Sequence, residues 1–299
     1  MNRTATKDTR ETSDTKDTGG ELLATAIDLT SLETVKTQLD GAVLHITLNR
    51  PEVRNAMSLR MVTELRAVLA DAERGGAVRV VVLRGAAGHF CAGGDLKDMA
   101  SARMRAASGA GPTSIADPVA QVSAQFGQLC VAFAATPLAV VAVLEGTVMG
   151  GGFGLACVAD VALASETAVF RLPETSLGVV PAQIAPFLVE RLGYSQAKRL
   201  AVTGGQLRAY DALSLGLVHA VHDDASMPSA LAIVLGDILV CAPNALAATK
   251  ALIGKARLTP PADLISEAAA VFSTAAQGPE GLEGIAAFLQ KRKPKWAPA

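Results

Sequence analysis

Two apolar runs constrain this chain more than any other feature. VRVVVL at residues 78–83 and LAVVAVL at residues 138–144 carry one charge between them, that of Arg79. Strands this uniformly apolar must be covered on both faces, as they are in a parallel sheet sandwiched by helices. Each run leads into a glycine-rich turn. HFCAGGDLK, residues 89–97, follows the first, and VMGGGFGLACVAD, residues 148–160, follows the second.

The surrounding pattern extends this reading to an α/β class. Residues 32–38 and 43–48 alternate apolar and polar around Asp40-Gly41, which predicts a hairpin. Apolar residues at Leu59, Val62, Leu65, Val68 and Leu69 keep helical spacing behind Ser58, a good N-cap. VALASETAVFRLPE reads as two short strands, and GLVHAVHDD as strand and turn. From Ser195 onward helical patterns dominate, and the last begins at Pro279. The expected organisation is a core over residues 31–194 and a helical region over residues 195–299. Residues 1–30, which begin Thr-rich and mixed in charge, are expected to be a disordered tail. Residues 101–118 are small and polar and suggest a mobile loop beside a binding site.

Bulk composition excludes several classes. Half of the 299 residues are hydrophobic, 18% are charged and the formal net charge is −1. No basic stripe suits nucleic acid, and no apolar run reaches the length of a membrane span. The N-terminal segment lacks the apolar stretch of a secretory signal, and its acidic residues argue against an organelle transit peptide, so a cytoplasmic protein is expected. Cys91, Cys130, Cys157 and Cys241 show no CxxC spacing and read as buried reduced thiols. His45, His89, His219 and His222 form no ligand cluster, and no metal is expected.

Both glycine turns place bare backbone N–H groups where a strand enters a helix, at the positive end of its dipole. Neither has the spacing of a P-loop or a dinucleotide fingerprint. Two such turns could each give one N–H to a thioester oxygen and so form an oxyanion hole. Tight helix packing explains the same glycines, and composition alone does not separate the two.

The motifs LNRPEVRNAMS, FCAGGDLK, GGGFGLACVADVALAS and FRLPETSLGVVP, followed by EGIAAFLQKRKPKW, stand in an order and spacing that resemble the enoyl-CoA hydratase/isomerase (crotonase) superfamily. The resemblance covers roughly residues 32–296. It implies a spiral of βββα turns with a helical C-terminal trimerisation region, and a homotrimer or dimer of trimers. It implies an oxyanion hole from the N–H groups of Gly94 and Gly151, with Ala92 in the same substrate-binding turn. Lys97 matches a basic residue near the CoA phosphates. Phe288 and Lys291 match positions that meet the adenine end of CoA, often across a subunit boundary. Coenzyme A is then part of the substrate, and no separate cofactor is implied.

Hydratases of this kind carry two glutamates. One ends the F-x-x-P-E motif and is present as Glu174; the other is replaced by Gly154. Partial burial would raise the Glu174 pKa toward the range useful for proton transfer. The lost glutamate suggests a substrate that brings its own branch or carboxylate, for which Gly154 would make room. The run PAQIAP, residues 181–186, is similar to that of the branch hydrating 3-methylglutaconyl-CoA and isohexenylglutaconyl-CoA, and Gln183 could line its acyl pocket. A Δ3,Δ2-enoyl-CoA isomerase needs only one carboxylate, and a CoA-thioester binder without activity needs none; both are alternatives. Asp95, Asp160 and Asp211 read as structural carboxylates and Cys91 as packing.

Overall fold

A computed structural model describes residues 31–107 and 117–298. The expected disordered tail therefore lies outside the described residues, as does half of the expected loop, residues 108–116. The hairpin forms as β1 (Val35–Asp40) and β2 (Val43–Leu48), with Asp40 opposite Val43 across Gly41. Helix α1 (Leu59–Gly75) follows, and Ser58 caps it by accepting the Met61 N–H. Strand β3 (Val80–Gly85) lies parallel to β2. Two helices, α2 (Leu96–Ala107) and α3 (Pro118–Ala135), lead to β4 (Ala139–Leu144), parallel to β3. So residues 101–107, expected as loop, continue a helix whose start lies at Leu96.

After β4 come β5 (Thr147–Met149), α4 (Gly151–Val158), β6 (Val161–Ser165) and β7 (Val169–Arg171). Helix α5 (Ala185–Thr203) breaks at Gly193, so the helix expected from Ser195 is its second half. Strand β8 (Gln206–Arg208), helix α6 (Ala209–Ser214) and strand β9 (Ala220–His222) precede the closing helices α7 (Met227–Leu239), α8 (Pro243–Ala256), α9 (Pro261–Gln277) and α10 (Pro279–Leu289).

The strands form two sheets. The larger runs β1-β2-β3-β4-β6-β9, parallel except for the hairpin; the smaller runs β5-β7-β8. Thus two strands of the C-terminal region are built into sheets of the core. Alternate residues of β3 and β4 enter different clusters. Val81, Leu83, Val140, Ala142 and Leu144 join the larger one, with Leu65, Phe133 and Phe153. Val80, Val82, Ala139, Val141 and Val143 face the other, against Leu231, Val234 and Ile238 of α7. This is the double coverage that the uniformly apolar runs require.

One buried carboxylate ties the first strand to α1. Glu64 accepts the N–H groups of Glu33 and Thr34 (3.1 and 2.9 Å), the Thr34 hydroxyl (2.6 Å) and Arg60 Nε (2.8 Å). Burial works to raise its pKa, but the bonds from Thr34, Arg60 and Glu33 outweigh it and hold the carboxyl below its ordinary value. The contribution is therefore complete above the unfolded-state pKa and is lost as pH falls through the folded value. Glu64→Ala is expected to lower stability by about 2–3 kcal/mol, because it orphans buried donors. Urea unfolding measures it; an unchanged midpoint would refute this role.

Candidate active site

The two glycine turns are held together by backbone. Cys91 forms an isolated parallel bridge with Val148. Its N–H reaches Thr147 O at 2.9 Å, its carbonyl accepts the Met149 N–H at 2.9 Å, and Phe90 N–H reaches Glu145 O at 2.8 Å. The approach is too close for side chains. Gly93 has φ +97°, and a β-carbon there would lie 3.3 Å from Met149 O. One on Gly152 would lie 2.7 Å from Cys91 Cβ. On its other side the first turn is pinned by Met57, whose N–H reaches Gly93 O (2.7 Å) and whose carbonyl accepts the Asp95 N–H (3.0 Å).

Gly94 and Gly151 line the same cleft, an open space of about 700 Å³. Gly151 is the first residue of α4, so its N–H has no partner within the helix. Among the described residues neither the Gly94 nor the Gly151 N–H makes a backbone hydrogen bond. Two donors at one cleft, one of them at a helix N-terminus, suit an oxygen that gains negative charge.

Glu174 enters the cleft from a 3-10 turn (Glu174–Leu177) that follows β7. The turn is fastened to α5 by the Thr175 hydroxyl on Ala201 O at 2.8 Å. Gly150 links this strand to the second glycine turn through its N–H on Arg171 O at 3.1 Å. A β-carbon on Gly150 would come within 3.0 Å of Glu174 Oε1, so the carboxylate sits close to the start of α4. Among the described residues Glu174 Oε2 is buried with no hydrogen-bond partner. Burial raises the Glu174 pKa, and its own backbone N–H opposes this only in part. Two other carboxylates line the cleft, but both are engaged. Asp95 pairs with Arg50 Nη1 (2.7 Å) and accepts the Lys97 N–H (2.8 Å); Asp98 accepts the Leu59 N–H (2.7 Å).

The remaining sequence candidates divide. Gln183 lines the cleft. Ala92 is partly buried in the first turn, where its N–H reaches Arg54 O at 3.0 Å. Lys97 is exposed in the first turn of α2, outside the cleft lining. Phe288 on α10 is 83% exposed, and Lys291 just beyond it has φ +53°; neither lines the cleft. Gly154 corrects an expectation. A β-carbon there would overlap Ile184 Cγ2 and lie 3.5 Å from Phe126 Cζ. The room left by the missing side chain is filled by Ile184, so Gly154 opens no space for a substrate.

Sequence reasoning passed over Ser123, Phe126 and Ile184, which line the cleft. It also passed over Arg50, which fixes Asp95 and donates to Ala56 O (2.6 Å). Asp160 accepts the Val140 N–H and Lys250 Nζ, and Asp211 the Arg208 N–H, which are structural roles. Glu145 pairs with Arg84 at 3.2 Å. Cys91, Cys130 and Cys157 are buried, and burial pushes their thiols up to about 11, 12 and 12. Cys241 departs from expectation: it is exposed beyond the end of α7.

A sequence model of the enoyl-CoA hydratase/isomerase family matches residues 38–298. The structure of Pseudomonas aeruginosa AtuE superposes with a TM-score of 0.84 at 52% identity, covering 89% of this chain and 100% of that one. An enoyl-CoA hydratase/isomerase from Marinobacter aquaeolei gives 0.84 at 48% identity, over 89% and 99% of the two chains. The peroxisomal Delta(3,5)-Delta(2,4)-dienoyl-CoA isomerase of Arabidopsis thaliana is 28% identical over 272 residues, which is 89% of this chain and 97% of that protein. With its two sheets, paired glycine turns and cleft carboxylate, the chain belongs to the enoyl-CoA hydratase/isomerase family and has the crotonase fold.

Proposed function

We propose that the protein hydrates a branched α,β-unsaturated acyl-CoA of glutaconyl type, such as 3-methylglutaconyl-CoA or isohexenylglutaconyl-CoA. The observation that carries this is the lone available carboxylate. Among the described residues Glu174 keeps a buried oxygen without a partner, while Ile184 and Phe126 close the place where a second glutamate would stand. A substrate with its own carboxylate would meet costly like-charge repulsion in a site with two glutamates. An apolar wall of Val122, Phe126 and Ile184 suits a hydrocarbon branch.

In this reading Glu174 takes a proton from water, and the water oxygen forms a bond to Cβ. The double-bond electrons move toward the thioester carbonyl, whose oxygen becomes enolate-like. The N–H groups of Gly94 and Gly151 hold that oxygen. Protonated Glu174 then returns its proton to Cα, which regenerates the carboxylate. The raised pKa matters here, because one group must act first as base and then as acid.

A second reading, Δ3,Δ2-enoyl-CoA isomerase, draws on the same lone carboxylate, since moving a proton between Cα and Cγ needs one group and no water. A CoA-thioester binder without activity would have no use for the unpartnered Glu174 oxygen. The exposed apolar side chains of α9 and α10, Phe272 and Phe288 among them, are assigned to contacts within a homotrimer or a dimer of trimers. Phe288 and Lys291 would there meet the adenine end of CoA, with Lys97 and Ala92 along the CoA path.

Glu174→Gln is expected to lower kcat about 10²–10⁴-fold. For the wild type, activity needs the ionised carboxylate. It should fall with decreasing pH through an apparent pKa above the ordinary glutamate value of about 4.3. The same shift makes the ionised carboxylate a stability cost. That cost is absent below the unfolded-state pKa and complete above the folded one. Glu174→Gln should therefore raise Tm at pH 7 and not at acid pH. A variant that keeps kcat contradicts the assignment. Separately, Gly151→Pro removes one N–H at a position where proline suits a helix start. It should cost about 10²–10³ in kcat, and unchanged turnover would remove Gly151 from the oxyanion hole.

A further inference from the structure

The dipeptide Gln183-Ile184 is seated in two notches cut by glycines. Ile184 fills the space over Gly154 of α4, as described above. Gln183 fills the equivalent space over Gly127 of α3, where a β-carbon would overlap Gln183 Oε1 and lie 2.8 Å from Cδ. Gly127 is buried in the interior of an 18-residue helix, a place where glycine is the poorest ordinary residue. One turn earlier on the same helix, Ser123 accepts Gln183 Nε2 at 3.1 Å. Helix α3 thus supplies both a gap for the amide and a hydroxyl to orient it.

Gln183 and Ser123 are neighbours in the cleft lining, among Val122, Phe126, Val180 and Ile184. With Oγ accepting from Nε2, the Ser123 O–H and the second amide N–H remain as donors. No Lys, Arg or His lines the cleft among the described residues. Glu174, Asp95 and Asp98 also line the cleft, so beside the apolar Val122, Phe126, Val180 and Ile184 these two neutral side chains are the side-chain donors of the lining. We propose that Gln183 and Ser123 select an acyl group with a distal carboxylate, held in place by the notch at Gly127. The assignment rests on the glutaconyl reading above and deepens it. Hydrogen bonds to a charged acceptor are the stronger kind, so such a pair discriminates against an acyl chain that ends in a methyl group.

The test compares kcat/KM for 3-methylglutaconyl-CoA with that for 3-methylcrotonyl-CoA, the same branched skeleton without the carboxylate. It uses the full-length wild type, Gln183→Met and Gly127→Ala. The wild type is expected to prefer the carboxylated substrate, and each variant to reduce that ratio about tenfold to a hundredfold. Gly127→Ala is informative because alanine favours the helix. Lost preference with undiminished thermal stability points to the displaced amide and not to a damaged fold. A wild-type preference that survives in both variants overturns the role of the pair and leaves the substrate reading standing. A wild type that does not prefer the carboxylated substrate overturns both.

Discussion

The active site depends on one short stretch of backbone pairing. The bridge between Cys91 and Val148 joins two turns that the chain reaches more than 50 residues apart, and it brings the Gly94 and Gly151 donors to one cleft. Both strands that feed these turns, β3 and β4, are neighbours in the parallel sheet and buried on both faces. The donors are therefore mounted at the ends of strands that the core packs on both faces. That matters for an oxyanion hole, whose benefit comes from dipoles that do not have to reorganise. The same pairing explains why side chains are absent at Gly93 and Gly152: any β-carbon would push the turns apart.

Around this frame the electrostatics are asymmetric. The positive end of α4 and the N–H groups of Gly94 and Gly151 stand on one side, and one carboxylate with a raised pKa lies close to the start of α4. Asp95 is neutralised by Arg50: burial works against its charge, but the Lys97 N–H and Arg50 hold its carboxyl below the ordinary value. Among the described residues Glu174 Oε2 has no such partner, which is the condition a proton-transfer group needs. The site can thus offer one mobile proton and one place for an oxyanion, which suffices for hydration or isomerisation.

Much of this was legible in the sequence. The uniformly apolar runs predicted a doubly covered parallel sheet, and the Asp-Gly turn and the Ser58 cap placed the hairpin and α1. Gly94, Gly151 and Glu174 were marked by motifs, and the structure brings them to one cleft. What escaped was what depends on distant contacts. Strands β5 and β8 have three residues each, too few to show a period. The meaning of Gly154 also depended on a partner 30 residues away: only the fold shows that Ile184 occupies its space. Gly127 gave no signal at all, because its reason is the Gln183 side chain. Arg50 was hidden in a motif whose loop geometry is set by left-handed residues at Arg54 and Asn55.

The central claim is that Glu174 and the two glycine N–H groups add water across a conjugated double bond. Its most direct test is mass analysis of the product formed from 3-methylglutaconyl-CoA in isotopically labelled water. The account predicts one labelled oxygen on Cβ of the hydrated product. A shifted double bond with no labelled oxygen, or no product from any enoyl-CoA, would contradict it.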